Sequence, residues 1–295
     1  MNKPKDEPGL QTILSHCGRN LEASGGYVNV PPYEGSTILH DDMEDLFGRV
    51  DNHLYGDGTA QTYGTDGGPT HEAFYEAMNK LEGGVGTWAF STGLAGCTIP
   101  MMAFLKTGDH MLVTDSVYGP TRQFCEVLLK NFGVEAEFYG PPIGAGIEGL
   151  IRPNTRLIYM ESPGTHTFEM QDVPAIAAVA RRHGVVTMID NTYATPINFQ
   201  PLKHGVDVVV HSATKYICGH SDVLMSTVTC NEKTWKQVRA VCKMTGQYAS
   251  AQSVYLGLRG LHTLKVRLDA VGAHTRKVVD WLLKREEVKK VIWPA

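Results

Sequence analysis

Apolar residues recur along this chain in two rhythms. Short apolar runs at 87–90, 110–114, 134–139, 156–160, 185–189, 207–211 and 223–229 have strand length and are bounded by glycine or polar residues. Between them the spacing changes to three and four. Phe74, Ala77, Met78 and Leu81 predict a helix that Thr70 can cap and Gly83-Gly84 ends. Phe124, Val127 and Leu128 mark a second helix closed at Gly133, and residues 173–183 a third with Gly184 as its C-cap. Strands alternating with helices predict an α/β fold built on an open, mainly parallel sheet. Residues 1–60 break the pattern: Gly25-Gly26, Pro31-Pro32 and the acidic cluster at 41–45 read as an extended arm lying on another surface. The α/β domain then occupies 61–250, and 251–295 reads as a long linker helix opening a C-terminal domain that is mostly absent.

Composition narrows the partners. The 295 residues can bury a sizeable core, and a net charge of −4 without a basic patch argues against nucleic acid. The densest basic stretch, 284–290, alternates in sign and reads as a solvated helix face. Residues 83–105 carry no charge, yet five glycines, Pro100 and Ser91-Thr92 suit a strand, turn and helix better than a membrane span. The start lacks a signal-peptide core, and the six cysteines form no CxxC or Cys/His cluster. A reducing cytoplasm without disulfides or metal is the expectation.

Three segments put polar groups where an open α/β sheet binds ligands, beyond the carboxyl ends of its strands. The turn Ser91-Thr92-Gly93-Leu94-Ala95-Gly96 offers glycines and a helix N-terminus to a phosphate, although many such turns bind nothing. The strand at 185–189 delivers Asp190, which could cap a helix, meet an arginine or hold a proton on a heterocyclic nitrogen. The strand at 207–211 delivers Ser212, Thr214 and Lys215, the last otherwise an ordinary surface lysine. Together they supply a phosphate cradle, a carboxylate and an amine, the three handles of pyridoxal 5'-phosphate. No GxGxxG opens a helix after an early strand, which argues against a nicotinamide dehydrogenase.

The motifs extend this. Tyr63-Gly64-Thr65-Asp66-Gly67-Gly68-Pro69-Thr70, Leu81-Glu82-Gly83-Gly84, STGLAG, Asp115-Ser116-Val117-Tyr118, Glu161-Ser162-Pro163-Gly164, Asp190-Asn191-Thr192-Tyr193 and SATKYxxGHSD at 212–222 are similar to the cysteine and methionine metabolism family of fold-type I pyridoxal-phosphate enzymes. ESPG followed by Thr165 resembles the bacterial cystathionine β-lyase branch. The resemblance implies a seven-stranded sheet between helices, a large domain of transferase-like fold and a homotetramer of dimers with shared sites. It assigns Lys215 to the cofactor aldehyde, Asp190 to the pyridine nitrogen, and the Gly93 and Leu94 N–H groups with the Ser212 and Thr214 hydroxyls to the phosphate. Tyr118 would stack on the ring, and Tyr63 would reach the phosphate of a neighbouring subunit.

The activity implied is β-elimination of cystathionine or a related sulfur amino acid to a thiol, pyruvate and ammonia, with Tyr118 or Lys215 protonating the leaving sulfur. Its rivals are γ-elimination or γ-replacement, as in cystathionine γ-lyase, γ-synthase and methionine γ-lyase, or a non-catalytic cofactor-binding fragment. Two departures stand out: Thr65 replaces the family's arginine after Tyr63, and the chain ends where the family's carboxylate-binding arginine domain begins.

Overall fold

Strands buried on both faces need continuous apolar runs, and this chain has them. The computed structural model describes residues 8–22, 24–55 and 60–294. Seven strands form one sheet: β1 (Gly86–Phe90), β2 (His110–Thr114), β3 (Glu135–Tyr139), β4 (Thr155–Glu161), β5 (Val186–Asp190), β6 (Val208–His211) and β7 (Ser226–Cys230). Their order is β1-β7-β6-β5-β4-β2-β3. β7 alone runs antiparallel to its neighbours β1 and β6, so β1 and β2–β6 all end at one edge.

The period of two along each strand separates two cores. Met111, Val113, Tyr159, Met188 and Val210 pack with Met101, Cys125 and Val238 on one face. Leu112, Ile158, Met160, Ile189 and Val209 pack with Ile176 and Val179 of the helix Val173–His183 on the other. That helix ends at Gly184, whose φ of 67° is the left-handed cap read from the sequence. A third cluster joins the helices Pro69–Glu82 and Ala251–Leu261 to Leu14, Cys17 and Val30. All six cysteines are buried and free. Among the described residues no acidic, His or Cys grouping suits a metal, and no helix is long and apolar enough to cross a membrane.

Several expectations need correction. Gly68, not Thr70, is the N-cap of the helix Pro69–Glu82. The Thr70 hydroxyl instead donates to the Pro31 carbonyl and accepts the Tyr33 N–H, stapling the N-terminal segment down. Val127 and Leu128 are exposed, because the helix widens to a π turn over Phe124–Leu129 and turns Cys125 and Leu129 inward. The first sixty residues are not irregular throughout: Leu10–His16 and Met43–Tyr55 are helices, and the first packs on the chain's own core. Residues 284–290 are solvated turns rather than a helix face. Residues 223–225 fall outside β7, because Met225 pairs with Thr214 across a turn.

Edge strand β3 is charged rather than apolar. Arg152 reaches Glu135 at 2.8 Å and also binds Glu137, which guards an edge otherwise open to further pairing. Beneath the sheet edge, His211 at the end of β6 meets Glu82 at 2.5 Å, with both side chains fully buried. After β6 the chain turns through Lys215 to Gly219, and Arg267 of the helix Leu264–Leu282 holds that turn. Its guanidinium donates to the carbonyls of Tyr216 (2.6 Å), Ile217 (3.2 Å) and Gly260 (2.8 Å). Charge-assisted bonds to three carbonyls are stronger than neutral ones. Arg267→Ala is therefore expected to lower unfolding stability by about 2–3 kcal/mol, read as a lower urea midpoint at unchanged slope.

Candidate active site

The site grows from the ends of four strands. Glu161 and Asp190 are the last residues of β4 and β5 and are register partners, so two carboxyl groups stand side by side. β6 ends at His211, and Ser212 starts a tight turn in which the Lys215 N–H donates to the Ser212 carbonyl at 3.0 Å. β1 ends at Phe90 and passes through Ser91-Thr92 into the helix Gly93–Thr98. The Thr92 hydroxyl caps that helix by accepting the Ala95 N–H at 3.3 Å. From β7, the Ser226 hydroxyl donates to the Thr92 carbonyl at 2.7 Å and pins the same turn.

A cavity of about 580 Å³ opens between these ends. Of the residues singled out in the sequence, Lys215, Asp190, Gly93, Leu94, Ser212, Thr214 and Tyr118 all line it. Tyr63 does not. It is half exposed and lines a separate hollow of about 180 Å³ with Thr65 and Lys243. Burial lowers the Lys243 ammonium to about 8, and Lys243 lies 2.9 Å from Asp66. The Thr214 hydroxyl is held by Met225, donating to its carbonyl at 3.1 Å and accepting its N–H at 3.0 Å.

Gly93 and Ser212 face each other closely. A Cβ at position 93 would lie 2.7 Å from Ser212 Oγ, so only glycine leaves that approach open. The N–H groups of Gly93 and Leu94, in the first turn of their helix, have no intrahelical acceptor by position. Asp190 is 7% exposed; its Oδ1 accepts the Thr192 N–H at 2.9 Å and its Oδ2 the Cys97 thiol at 3.4 Å. Burial, then the Asp190 charge, pushes the Cys97 thiol well up, which keeps its proton available to Asp190. Burial and the neighbouring Asp190 likewise raise the Glu161 carboxyl to about 8. Glu161 accepts the Tyr118 N–H at 2.7 Å and also bonds the Thr165 hydroxyl.

Glu161, Cys97, Thr192, His166 and Phe168 also line the cavity, and the sequence reading gave none of them a role. Glu161 had a signal: it closes a strand just as Asp190 does. Cys97 follows the glycine turn, but nothing local aims a thiol at a carboxylate 93 positions away. His166 and Phe168 lie in a turn with left-handed φ of 63° and 54°, which no residue type there announces.

This donor set fits pyridoxal phosphate. An amine, a buried carboxylate with one cavity-facing wall and a glycine-lined approach beside a hydroxyl share one enclosure. The profile of the Cys/Met metabolism PLP-dependent enzymes matches residues 11–295, and the chain belongs to that family. A protein of Rhizobium johnstonii, provisionally named a cystathionine beta-lyase, is 45% identical over 97% of this chain and 70% of its own length. Cystathionine beta-lyase MetC of Escherichia coli is 38% identical over 97% of this chain and 72% of its own. The solved cystathionine gamma-lyase of Lactobacillus plantarum, complexed with L-serine, superposes with a TM-score of 0.87 at 30% identity, covering 96% of this chain and 71% of that one. Fold type, cofactor class and family thus agree with the sequence reading.

The raised Glu161 carboxyl has a pH consequence. The folded chain binds this proton more tightly than the unfolded chain, whose carboxyl titrates near 4.5. Its contribution to stability therefore falls as pH rises from that range to about 8, then levels. Glu161→Gln removes the effect. The melting temperature of the variant relative to wild type should climb between about pH 5 and pH 8, and a flat difference would contradict the assignment.

Proposed function

We propose that this chain is a carbon–sulfur lyase that uses pyridoxal phosphate to eliminate a thiol from the β-carbon of cystathionine or a related amino acid. Lys215 and Asp190 lining one cavity is the observation that supports it most directly. The bound cofactor supplies an electron sink that acidifies the substrate Cα–H and stabilises the resulting charge. Asp190, dry and fixed by Thr192 and Cys97, would keep a proton on the ring nitrogen. Gly93, Leu94 and Ser212 would hold the phosphate, with the Thr214 hydroxyl fixing the turn through Met225. Tyr118 would lie against the ring.

Lys215, released when the substrate amine takes its place, would remove the Cα proton. The electron pair left at Cα would form a Cα–Cβ double bond as the Cβ–S bond breaks, and the departing thiolate would take a proton from Lys215 or Tyr118. The unsaturated amino acid left behind takes up water and yields pyruvate and ammonia; with cystathionine the thiol is homocysteine. Tyr63 lies outside the cavity, which suits a role toward the site of a second copy in a homotetramer, with residues 1–60 as part of the contact. The cytoplasm is the compartment this reading implies. The γ-lyase neighbour favours one second reading, γ-cleavage, which would release cysteine and 2-oxobutyrate instead.

Purified protein reconstituted with pyridoxal phosphate should show the visible absorbance of a lysine-linked cofactor. Lys215→Ala should lose it, along with about 100-fold or more of the turnover. Homocysteine and pyruvate from cystathionine are the expected products; absence of any cofactor band in wild type would end the proposal. Gly93→Ala, which crowds Ser212 Oγ, should weaken cofactor retention about tenfold, measured by equilibrium dialysis.

A further inference from the structure

Glu161 has no part in the roles given above, yet its carboxyl, like that of Asp190, makes two hydrogen bonds in the cavity wall. Its register partner Asp190 turns to Thr192 and Cys97. Glu161 turns the other way. Its Oε2 accepts the backbone N–H of Tyr118, where the chain enters the helix Gly119–Gln123 after β2, at 2.7 Å. Its Oε1 meets the hydroxyl of Thr165, in the strap that leaves β4. One buried group thus joins two segments that approach the cavity from different strands.

The strap needs such a hold. His166 and Phe168 carry left-handed φ of 63° and 54°, a strained backbone for residues with side chains, so neighbouring bonds must impose the shape. The Thr165 N–H donates to the Ser116 carbonyl at 2.8 Å, and the Gly164 N–H to the Glu169 carbonyl at 2.9 Å. A Cβ on Gly164 would come within 2.3 Å of Ser116 Oγ, so strap and Tyr118 segment are already in close apposition. Phe168 then rests 5.0 Å, centroid to centroid, from the Tyr193 ring at the cavity mouth.

We infer that Glu161 is a positioning residue: a clasp that sets Tyr118 and the Thr165–Phe168 strap at a fixed separation and so fixes the mouth through which substrate reaches Lys215. The functional part of this rests on the lyase reading, whereas the clasp itself does not. Asp190, Cys97 and Tyr159 are the ionisable groups that act on or beside Glu161, and Tyr118, His166, Tyr193, Lys215 and Tyr216 line the same cavity. Gln keeps both arms, since its carbonyl accepts the Tyr118 N–H and its amide donates to Thr165. Ala keeps neither.

The test is hydrogen exchange of the full purified chain, read in peptides covering Tyr118 and 164–168, with the cofactor band recorded on the same samples. Glu161→Ala should speed exchange in both peptides about tenfold, and Glu161→Gln should restore most of the protection. Thr165→Val, which cuts one arm at a milder site, should loosen the strap peptide and spare Tyr118. In turnover, Glu161→Ala should retain the cofactor band yet lose about 10- to 100-fold in kcat, with Gln recovering most of it. Unchanged exchange in Glu161→Ala, or Gln behaving like Ala, overturns the clasp. Loss of protection with no cofactor band in wild type leaves the clasp standing and overturns the lyase reading instead.

Discussion

Asp190 is a carboxylate kept nearly dry at the end of a strand that is otherwise apolar and inward-facing. Such a charge is costly to bury without partners. Here a backbone N–H, a thiol and the turn below it supply them on known sides. The remaining face opens on the cavity. In the proposed reading, a cationic ring nitrogen arriving there would gain a partner already desolvated and oriented.

The arrangement around Asp190 follows from strand register. Parallel strands ending together place Glu161, Asp190 and the Ser212–Lys215 turn in one row, and β7 running the opposite way delivers Ser226 beneath the glycine turn after β1. No single loop builds the site. Several strand ends each contribute one group, and packing on both faces fixes their spacing more firmly than any surface loop could.

That division explains what could be read in advance. The strand runs and the turns that follow them are local patterns, so Asp190, Lys215, Gly93 and Ser212 were visible, as was the helix ending at Gly184. What depends on contacts distant in sequence was not. Thr70 has the chemistry of a cap, but the Pro31–Tyr33 backbone claims its hydroxyl. Leu10, Ile13, Leu14 and Cys17 carry helical spacing over only about two turns, too short to separate from a loop until the core beneath Leu14 is seen. Val127 and Leu128 looked inward only while a regular helix was assumed. The pairing of Cys97 with Asp190 has no local trace at all.

The guarded flank of the sheet limits how copies of this chain can meet. With Arg152 drawn across Glu135 and Glu137, continuing the sheet into a neighbour at β3 would strip water from three ionised groups and break their pairing. Any assembly would thereby be steered away from that margin toward helical and loop faces, where copies could meet without any strand joining another molecule's ladder.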